Sequence, residues 1–363
     1  MTTDVVLDCR WLGYWGAGRF TELLLYGLSH DPPPPSWVLW GPEQVRGLAW
    51  PSARVAVTGR DPRRWSGQRA CFEVPRGRLA VFLHQQRPLC GRTAVVVIHD
   101  TIQLRYGGSP PERLLRAAYL RCSAARARRV ITVSEYSRTC IRRDLAVPDE
   151  RIATVPLPYD GAFVDRVAAT RRRAAIQDIA LYVGRFAPHK NLDRLLAAYE
   201  RTRFCAQGGR LVLSGGTGTE VGALAASLTD RQRSFTSVRP WCDGQELETL
   251  MATARFVVQP SLEEGYGLPV LEAMASGVTV CASDGGSLPE VTRGLVPTFP
   301  ARSVEAMAVA IDGAAARGRD RAGEERIARA IRSEMPTPAE FARQFRSVIE
   351  ASLAGNREAA SRC

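Results

Sequence analysis

Two carboxylates and two cations stand at spacings that chemistry could use. Glu264 and Glu272 bracket a glycine-rich loop within Ser261-Leu-Glu-Glu-Gly-Tyr-Gly-Leu-Pro-Val-Leu-Glu-Ala-Met-Ala-Ser-Gly277. Pro269 suits the first position of a helix, which leaves Gly265, Tyr266, Gly267 and Leu268 as a loop with unspent backbone amides. Such a loop suits an anion or a sugar hydroxyl. Each glutamate can accept hydrogen bonds from a pair of hydroxyls, as binding a sugar and a ribose requires. Glu272 falls in the first helical turn, where complementing the helix dipole is an equally good reason for an acid. Glu264 precedes the helix and lacks that reason. Upstream, Arg185 and Lys190 lie in Tyr182-Val-Gly-Arg-Phe-Ala-Pro-His-Lys-Asn191. One ends a strand and the other starts a helix whose apolar stripe is Leu192, Leu195, Leu196 and Tyr199. Two cations so placed can clamp a diphosphate and stabilise the charge that builds as it leaves. The dipole disfavours a merely structural cation at that end. His189 beside them is read as a coincidence of the loop.

Positioning these groups falls to strands laid parallel and joined by crossover helices, because short apolar runs alternate with amphipathic stretches throughout. The first half offers strands at Val5-Val6-Leu7, Trp37 to Trp40, Leu79 to Leu83, Ala94 to Ile98 and Val130 to Val133. The second half offers Ile179 to Val183, Leu211 to Leu213, Phe256 to Val258 and Val278 to Val280. Fully apolar runs suit a sheet covered on both faces. Leu114, Leu115, Ala118, Tyr119 and Cys122 recur at helical spacing after Pro110-Pro111, with Arg113, Arg116, Arg121 and Arg126 on the other face. That basic face is ordinarily a solvated one, and a peripheral contact with anionic lipid is the alternative. The stiff stretch Val155-Pro-Leu-Pro158 and Arg171-Arg-Arg173 mark a hinge. The expected organisation is a Rossmann-like domain over 1–165, a second over 166–335, and a terminal helix and tail over 336–363 that packs back toward the first domain. Phe341, Phe345, Val348 and Ile349 form that helix's apolar face. Two such domains facing each other would place ligands at the carboxyl ends of both sheets.

Composition narrows the classes. The chain has 363 residues, 45% hydrophobic and 24% charged, with 49 basic and 37 acidic side chains for a net +12. This is globular composition with room for two cores. Lys190 is the one lysine, and between Arg54 and Arg143 there are 19 arginines against five acids. Nucleic acid, an anionic membrane and a phosphorylated substrate could each want that charge, but the basic segment lacks the interleaved aromatics of a nucleic-acid binder. The nine cysteines include no C-x-x-C pair, and they and the four histidines are too scattered to hold a metal. No apolar run is long enough to span a bilayer and no signal peptide is evident, so a cytoplasmic enzyme is expected, at most peripheral at the inner membrane face.

The segment E-G-Y-G-L-P-V-L-E-A-M-A-S-G resembles the E-x7-E motif of glycosyltransferase family 4, retaining enzymes of the GT-B fold. Ala282-Ser-Asp-Gly-Gly-Ser-Leu-Pro-Glu290 resembles a further stretch of that family, and the Arg185 to Asn191 segment resembles its V-G-R-x-x-x-x-K-N motif. The resemblance implies a fold of two facing doubly wound domains with an interdomain cleft. It implies that Glu264 contacts the donor sugar, that Glu272 holds the ribose, and that Arg185 and Lys190 bind the pyrophosphate. Gly13-Tyr-Trp-Gly-Ala-Gly-Arg-Phe20 is similar to the family's glycine loop, which implies that Gly16 and Gly18 lie at the donor phosphate. Val97-Ile-His-Asp-Thr101 implies a contact from His99 to the transferred sugar, and Ser134 is a weaker candidate. Val212-Leu-Ser-Gly-Gly216, Pro240-Trp-Cys-Asp-Gly244 and Val155-Pro-Leu-Pro-Tyr-Asp160 depart from the family's patterns.

The implied activity is transfer of a sugar from a nucleoside diphosphate donor, leaning to GDP, to a small-molecule or lipid-linked glycan acceptor with retention at the anomeric carbon. No metal cofactor is implied, since no D-x-D motif is present. A sugar phosphorylase or nucleotide-sugar epimerase keeps the fold and changes the reaction. A noncatalytic sugar-nucleotide or membrane-binding module is the alternative from another class.

Overall fold

The computed structural model describes residues 3–59, 62, 74–87, 94–242 and 244–360. Cys71, Cys90, Asp243 and Cys363 lie outside the described residues. The chain divides into two compact units, one of residues 1–158 with 336–363 and the other of residues 159–335.

The first unit holds seven parallel strands: β1 (Val5–Asp8), β2 (Trp37–Gly41), β3 (Arg54–Val57), β4 (Leu79–Phe82), β5 (Ala94–Val97), β6 (Arg129–Thr132) and β7 (Ile152–Thr154), in the order β3-β2-β1-β4-β5-β6-β7. The second holds six: β8 (Ile179–Val183), β9 (Arg210–Gly216), β10 (Thr236–Pro240), β11 (Phe256–Gln259), β12 (Val280–Ser283) and β13 (Thr298–Phe299), in the order β10-β9-β8-β11-β12-β13. Both sheets therefore grow one way from their first strand and then jump back to grow the other way. The order reverses between β1 and β4 in one sheet and between β8 and β11 in the other, and this switch point is where a doubly wound sheet opens a crevice. The doubly wound class expected from the alternating pattern is the class observed.

The central strands are apolar on both faces: every residue of β1, β4, β5 and β11 is buried. Helices cover them. In the second unit Leu195, Leu196 and Tyr199 of the helix Leu192–Tyr199 pack with Tyr182, Leu213 and Phe256. Four strands escaped the sequence reading, β3, β7, β10 and β13, and all four are sheet edges. An edge strand has one neighbour and one open side, so its residues need not form an apolar run; β3 is exposed or half-buried along its length. The run Val278-Thr-Val280 enters its strand only at Val280.

Two readings need correction. The boundary at 165/166 would cut the helix Gly161–Arg173, which lies wholly in the second unit. Arg171 anchors it there: its guanidinium meets Glu324 at 2.5 Å with both side chains 3% exposed, and also donates to the carbonyls of Ala252 and Ala254. The triple arginine thus ends a packed helix rather than marking a hinge. The helix Pro110–Ala125 exists, but only Tyr119 and Cys122 of the expected apolar stripe turn partly inward, while Arg121 and Arg126 are exposed as expected. Leu120, Ser123 and Ala124 are buried, whereas Leu114 and Leu115 are 71% and 73% exposed.

The terminal helix Pro338–Ala360 packs on the helix Trp15–His30 within the first unit, where Phe341 and Phe345 meet the ring of Phe20 with centroids 5.4 and 6.1 Å apart. The six cysteines among the described residues are free thiols.

Candidate functional site

In the second unit the chain leaves β8 at Val183, passes Gly184 to Ala187, makes a single 3-10 turn over Pro188–Lys190 and enters its helix through Asn191. Lys190 therefore precedes the helix rather than opening it. Asn191 takes the left-handed conformation (φ 62°), and its amide donates to the carbonyls of Pro260 and Ala301 at 2.9 and 2.7 Å. The Leu262 amide donates to the His189 carbonyl at 2.8 Å. These bonds tie the loop after β8 to the loop after β11, and β8 and β11 flank the switch point.

Lys190 and Glu264 meet there. Nζ donates to Oε1 at 2.6 Å, with the side chains 15% and 9% exposed. The same oxygen accepts from Gln259 Nε2 and Ser261 Oγ, each at 2.7 Å. Oε1 thus takes three bonds while Oε2 takes none within the described residues, and Lys190 spends one of its three donors. Burial alone would raise the Glu264 pKa, but the Lys190 charge and the hydrogen bonds from Lys190 and Ser261 outweigh it, and the carboxyl sits below its usual range. His189 is pushed down to about 4 by burial first and then by Lys190, against the opposing pull of Glu264 and Glu263. Neutral at pH 7, it adds no charge to the site.

The loop Gly265 to Gly267 is fixed from both sides. Gly267 caps the helix Leu268–Ala275 with φ 104°, a conformation costly for any side chain. Ser287 Oγ donates to the carbonyls of Glu264 and Tyr266 at 3.2 and 2.8 Å. Leu268 is helical, and Glu272, buried at 9%, stands in the second turn rather than the first. The dipole explanation for Glu272 weakens accordingly, since that effect fades within the first turn. Arg185 is the exposed member of the set at 46%, and its guanidinium pairs with Glu220 at 3.1 Å.

Gln259, Ser261 and Glu220 were missed by the sequence reading. A glutamine ending the otherwise apolar run Phe256-Val-Val-Gln259 was the available signal, because a buried amide at a strand end must have partners. After the edge strand β10, Trp241 is 50% exposed beside Gly215, and the buried Cys242 Sγ lies 3.1 Å from the Ser214 hydroxyl.

In the first unit the turn residue is Gly13 (φ 80°), and Gly16 and Gly18 lie inside the first turns of the helix Trp15–His30. Space beside Gly16 is open, whereas a Cβ on Gly18 would stand 2.9 Å from the Gly13 nitrogen. Gly18 thus serves the close approach of that helix to the turn. His99 follows β5; its Nε2 lies 3.1 Å from the Leu83 carbonyl and its ring meets Phe20 edge-on. Burial pushes it down to about 4. The imidazole is neutral at pH 7, and since a carbonyl only accepts, Nε2 carries the proton and Nδ1 keeps its lone pair. His84, also held low by burial, stacks on Trp11 at 3.8 Å. Ser134 is fully buried and caps the helix Glu135–Leu145 by accepting from the Ser137 amide at 3.0 Å. Beyond β1 and β2 a cavity of about 650 Å³ is lined by Leu12, Tyr14, Gln44, Leu48, Thr58 and Arg10, the last clamped to Asp8 at 2.9 and 2.7 Å.

Among the described residues no helix is long and apolar enough to cross a membrane.

Residues 177–316 match the family model described as Glycosyl transferases group 1. The chain is 36% identical over 179 residues to the O-antigen chain mannosyltransferase B of Escherichia coli, covering 46% of this chain and 45% of that one. It is 34% identical over 168 residues to the MMP alpha-(1->4)-mannosyltransferase of Mycolicibacterium hassiacum, covering 45% of this chain and 38% of that one. These matches span less than half the length of either relative. Among solved structures, the sucrose-phosphate synthase of Thermosynechococcus elongatus superposes with a TM-score of 0.74 at 19% identity, covering 97% of this chain and all of that one. The fold is thus GT-B: two Rossmann-like parallel-sheet domains.

Proposed function

We propose that this protein is a glycosyltransferase that moves a sugar from a nucleoside diphosphate donor to a hydroxylated acceptor. The observation that carries the reading is the Lys190–Glu264 pair, in which the ammonium keeps two donors and the carboxylate keeps Oε2 free of bonds within the described residues. The ammonium offers its remaining donors to the diphosphate, with Arg185 joining once it swings from Glu220. The amides of Gly267 and Leu268 add neutral donors at a helix start. Glu264 Oε2 accepts from a sugar hydroxyl, and Glu272 from the ribose. Support for the reading comes from the match over residues 177–316, which contains all of these groups.

The bond from the anomeric carbon to the leaving phosphate oxygen breaks as negative charge gathers on the diphosphate, where Lys190 and Arg185 are preorganised to meet it. The acceptor oxygen attacks from the same face, its proton passes to the departing phosphate oxygen, and the configuration is retained. On the first unit, His99 Nδ1 is an acceptor for a sugar hydroxyl, and Gly16 leaves open space near the helix start. The role of Ser134 is to hold its helix. The cavity beyond β1 and β2 is the place for a polyhydroxylated acceptor. The donor is GDP-linked, in line with the two mannosyltransferase relatives, and no metal is required because side-chain cations and amides neutralise the diphosphate.

The test is release of nucleoside diphosphate from GDP-mannose and from UDP-glucose with and without a glycan acceptor, with and without EDTA. Acceptor-dependent release of GDP, unaffected by EDTA, is expected. Preferential use of the UDP donor would overturn the base assignment, and loss of turnover in EDTA would overturn metal independence. An anomeric proton spectrum of the product showing inversion would overturn the same-face route.

A further inference from the structure

The helix Pro110–Ala125 buries Leu120, Ser123 and Ala124, and two of its arginines bond to the backbone of the segment before it. The Arg113 guanidinium donates to the Gly108 carbonyl at 2.9 Å and that of Arg116 to the Gln103 carbonyl at 3.4 Å. What faces outward is an apolar ridge: Leu114 and Leu115, 71% and 73% exposed, continued by exposed Ala118 and Ala125. With 100° between successive residues, the exposed Arg121 and Arg126 fall on opposite flanks of that ridge. Arg121 donates to the Asp144 carbonyl at 3.0 Å, which sets it beside Arg143, 59% exposed, and Arg142, 56% exposed, at the end of the next helix. From Ser109 to Leu145 there are nine arginines and three acids. Two of the acids are engaged locally, Glu112 in the cap at Ser109 and Asp144 with Arg105 and Arg143.

We propose that this ridge docks on an anionic lipid bilayer, with Leu114 and Leu115 entering the boundary between headgroups and acyl chains and Arg121, Arg126, Arg142 and Arg143 meeting lipid phosphates. The charge around the ridge is what selects this occupant. A narrow apolar strip rimmed by one sign of charge complements an anionic surface. A second copy of the chain related by a two-fold axis would bring arginines against arginines. The inference stands apart from the transfer reaction, because none of these residues belongs to the proposed donor site.

Flotation with phosphatidylcholine–phosphatidylglycerol vesicles at low and high salt tests it, with phosphatidylcholine vesicles as the uncharged control. The wild-type chain is expected to float with the anionic vesicles, less so as salt rises, and weakly with the neutral ones. The Leu114→Ser/Leu115→Ser variant should lose about tenfold in partitioning at either salt with an unchanged melting temperature, since both side chains are already exposed. Arg121→Gln/Arg126→Gln should lose binding at low salt and flatten the salt dependence. Failure of the wild type to float, or a serine variant that floats equally well, overturns the proposal. So does a wild-type dimer in size-exclusion chromatography that the serine variant dissociates while vesicles are ignored, which would make the ridge an interface between copies.

Discussion

The two switch points share a topology and differ in how they hold charge. After β1, Asp8 and Arg10 are two residues apart and satisfy one another through paired bonds, with the guanidinium set 4.2 Å over the Trp40 ring. After β8 and β11, the cation comes from one strand end and the carboxylate from another, and they share a single oxygen. A pair closed within one strand end is a structural lock. A pair assembled from two strand ends keeps donors and an acceptor for a ligand, and burial makes each unspent bond count. The residues following β4 and β5 in the first unit, His84 and His99, are neutral at pH 7 because burial lowers both. The first switch point thus holds a closed ion pair and uncharged rings, and the second an ion pair with bonds unspent within the described residues.

The contrast breaks most severely at a buried pair with no ligand to hold. Arg171→Met leaves Glu324 charged and nearly dry, so urea unfolding should show a loss of about 3–5 kcal/mol, and Arg171→Met/Glu324→Met should recover most of it. At the site itself, Lys190→Met should lower turnover by about 10²-fold or more, because a preorganised donor to the leaving diphosphate is gone. Lys190→Arg should also lose much of the rate, since a planar fork cannot occupy the 2.6 Å contact of a compact ammonium in the same way. Unchanged rates would reduce the pair to a structural lock like the first.

Acid titrates the contrast next. His99 and His189 are each lowered to about 4, so the folded chain binds fewer protons than the unfolded one between that value and the ordinary 6.5. Their contribution to stability is complete above pH 6.5 and is lost as the pH falls toward 4. Glu264, held low, adds a loss at more acid pH. Unfolding midpoints measured from pH 7.5 downward should decline, and His99→Gln should flatten the decline between pH 6.5 and 4. A flat wild-type profile there would contradict the burial of both rings. The smallest effect is at the helix start: Gly18→Ala should cost about 1 kcal/mol or more because its Cβ would press on the Gly13 nitrogen, while Gly16→Ala should be neutral or slightly stabilising.

Much of the second unit was legible because its chemistry sits in contiguous segments. Arg185 to Asn191 and Glu264 to Glu272 each form one strand-to-helix passage, and the apolar runs before them are central strands. Long-range partners left no such mark. Nothing in spacing links Glu264 to Lys190 across 74 positions, and only the switch-point topology brings them together. The four missed strands are edges, where burial on one side asks little of sequence. In the helix Pro110–Ala125 the buried residues are Leu120, Ser123 and Ala124 while Leu114 and Leu115 stay exposed, so an apolar stripe alone does not tell core from surface.

The central claim is that Lys190 and Glu264 form a diphosphate-sugar site rather than an internal lock, and calorimetric titration of GDP into the wild-type chain and Lys190→Met tests it most directly. Saturable binding by the wild type, weakened about tenfold or more in a variant that remains folded, is the predicted result. Equal GDP affinity in the two proteins would contradict it.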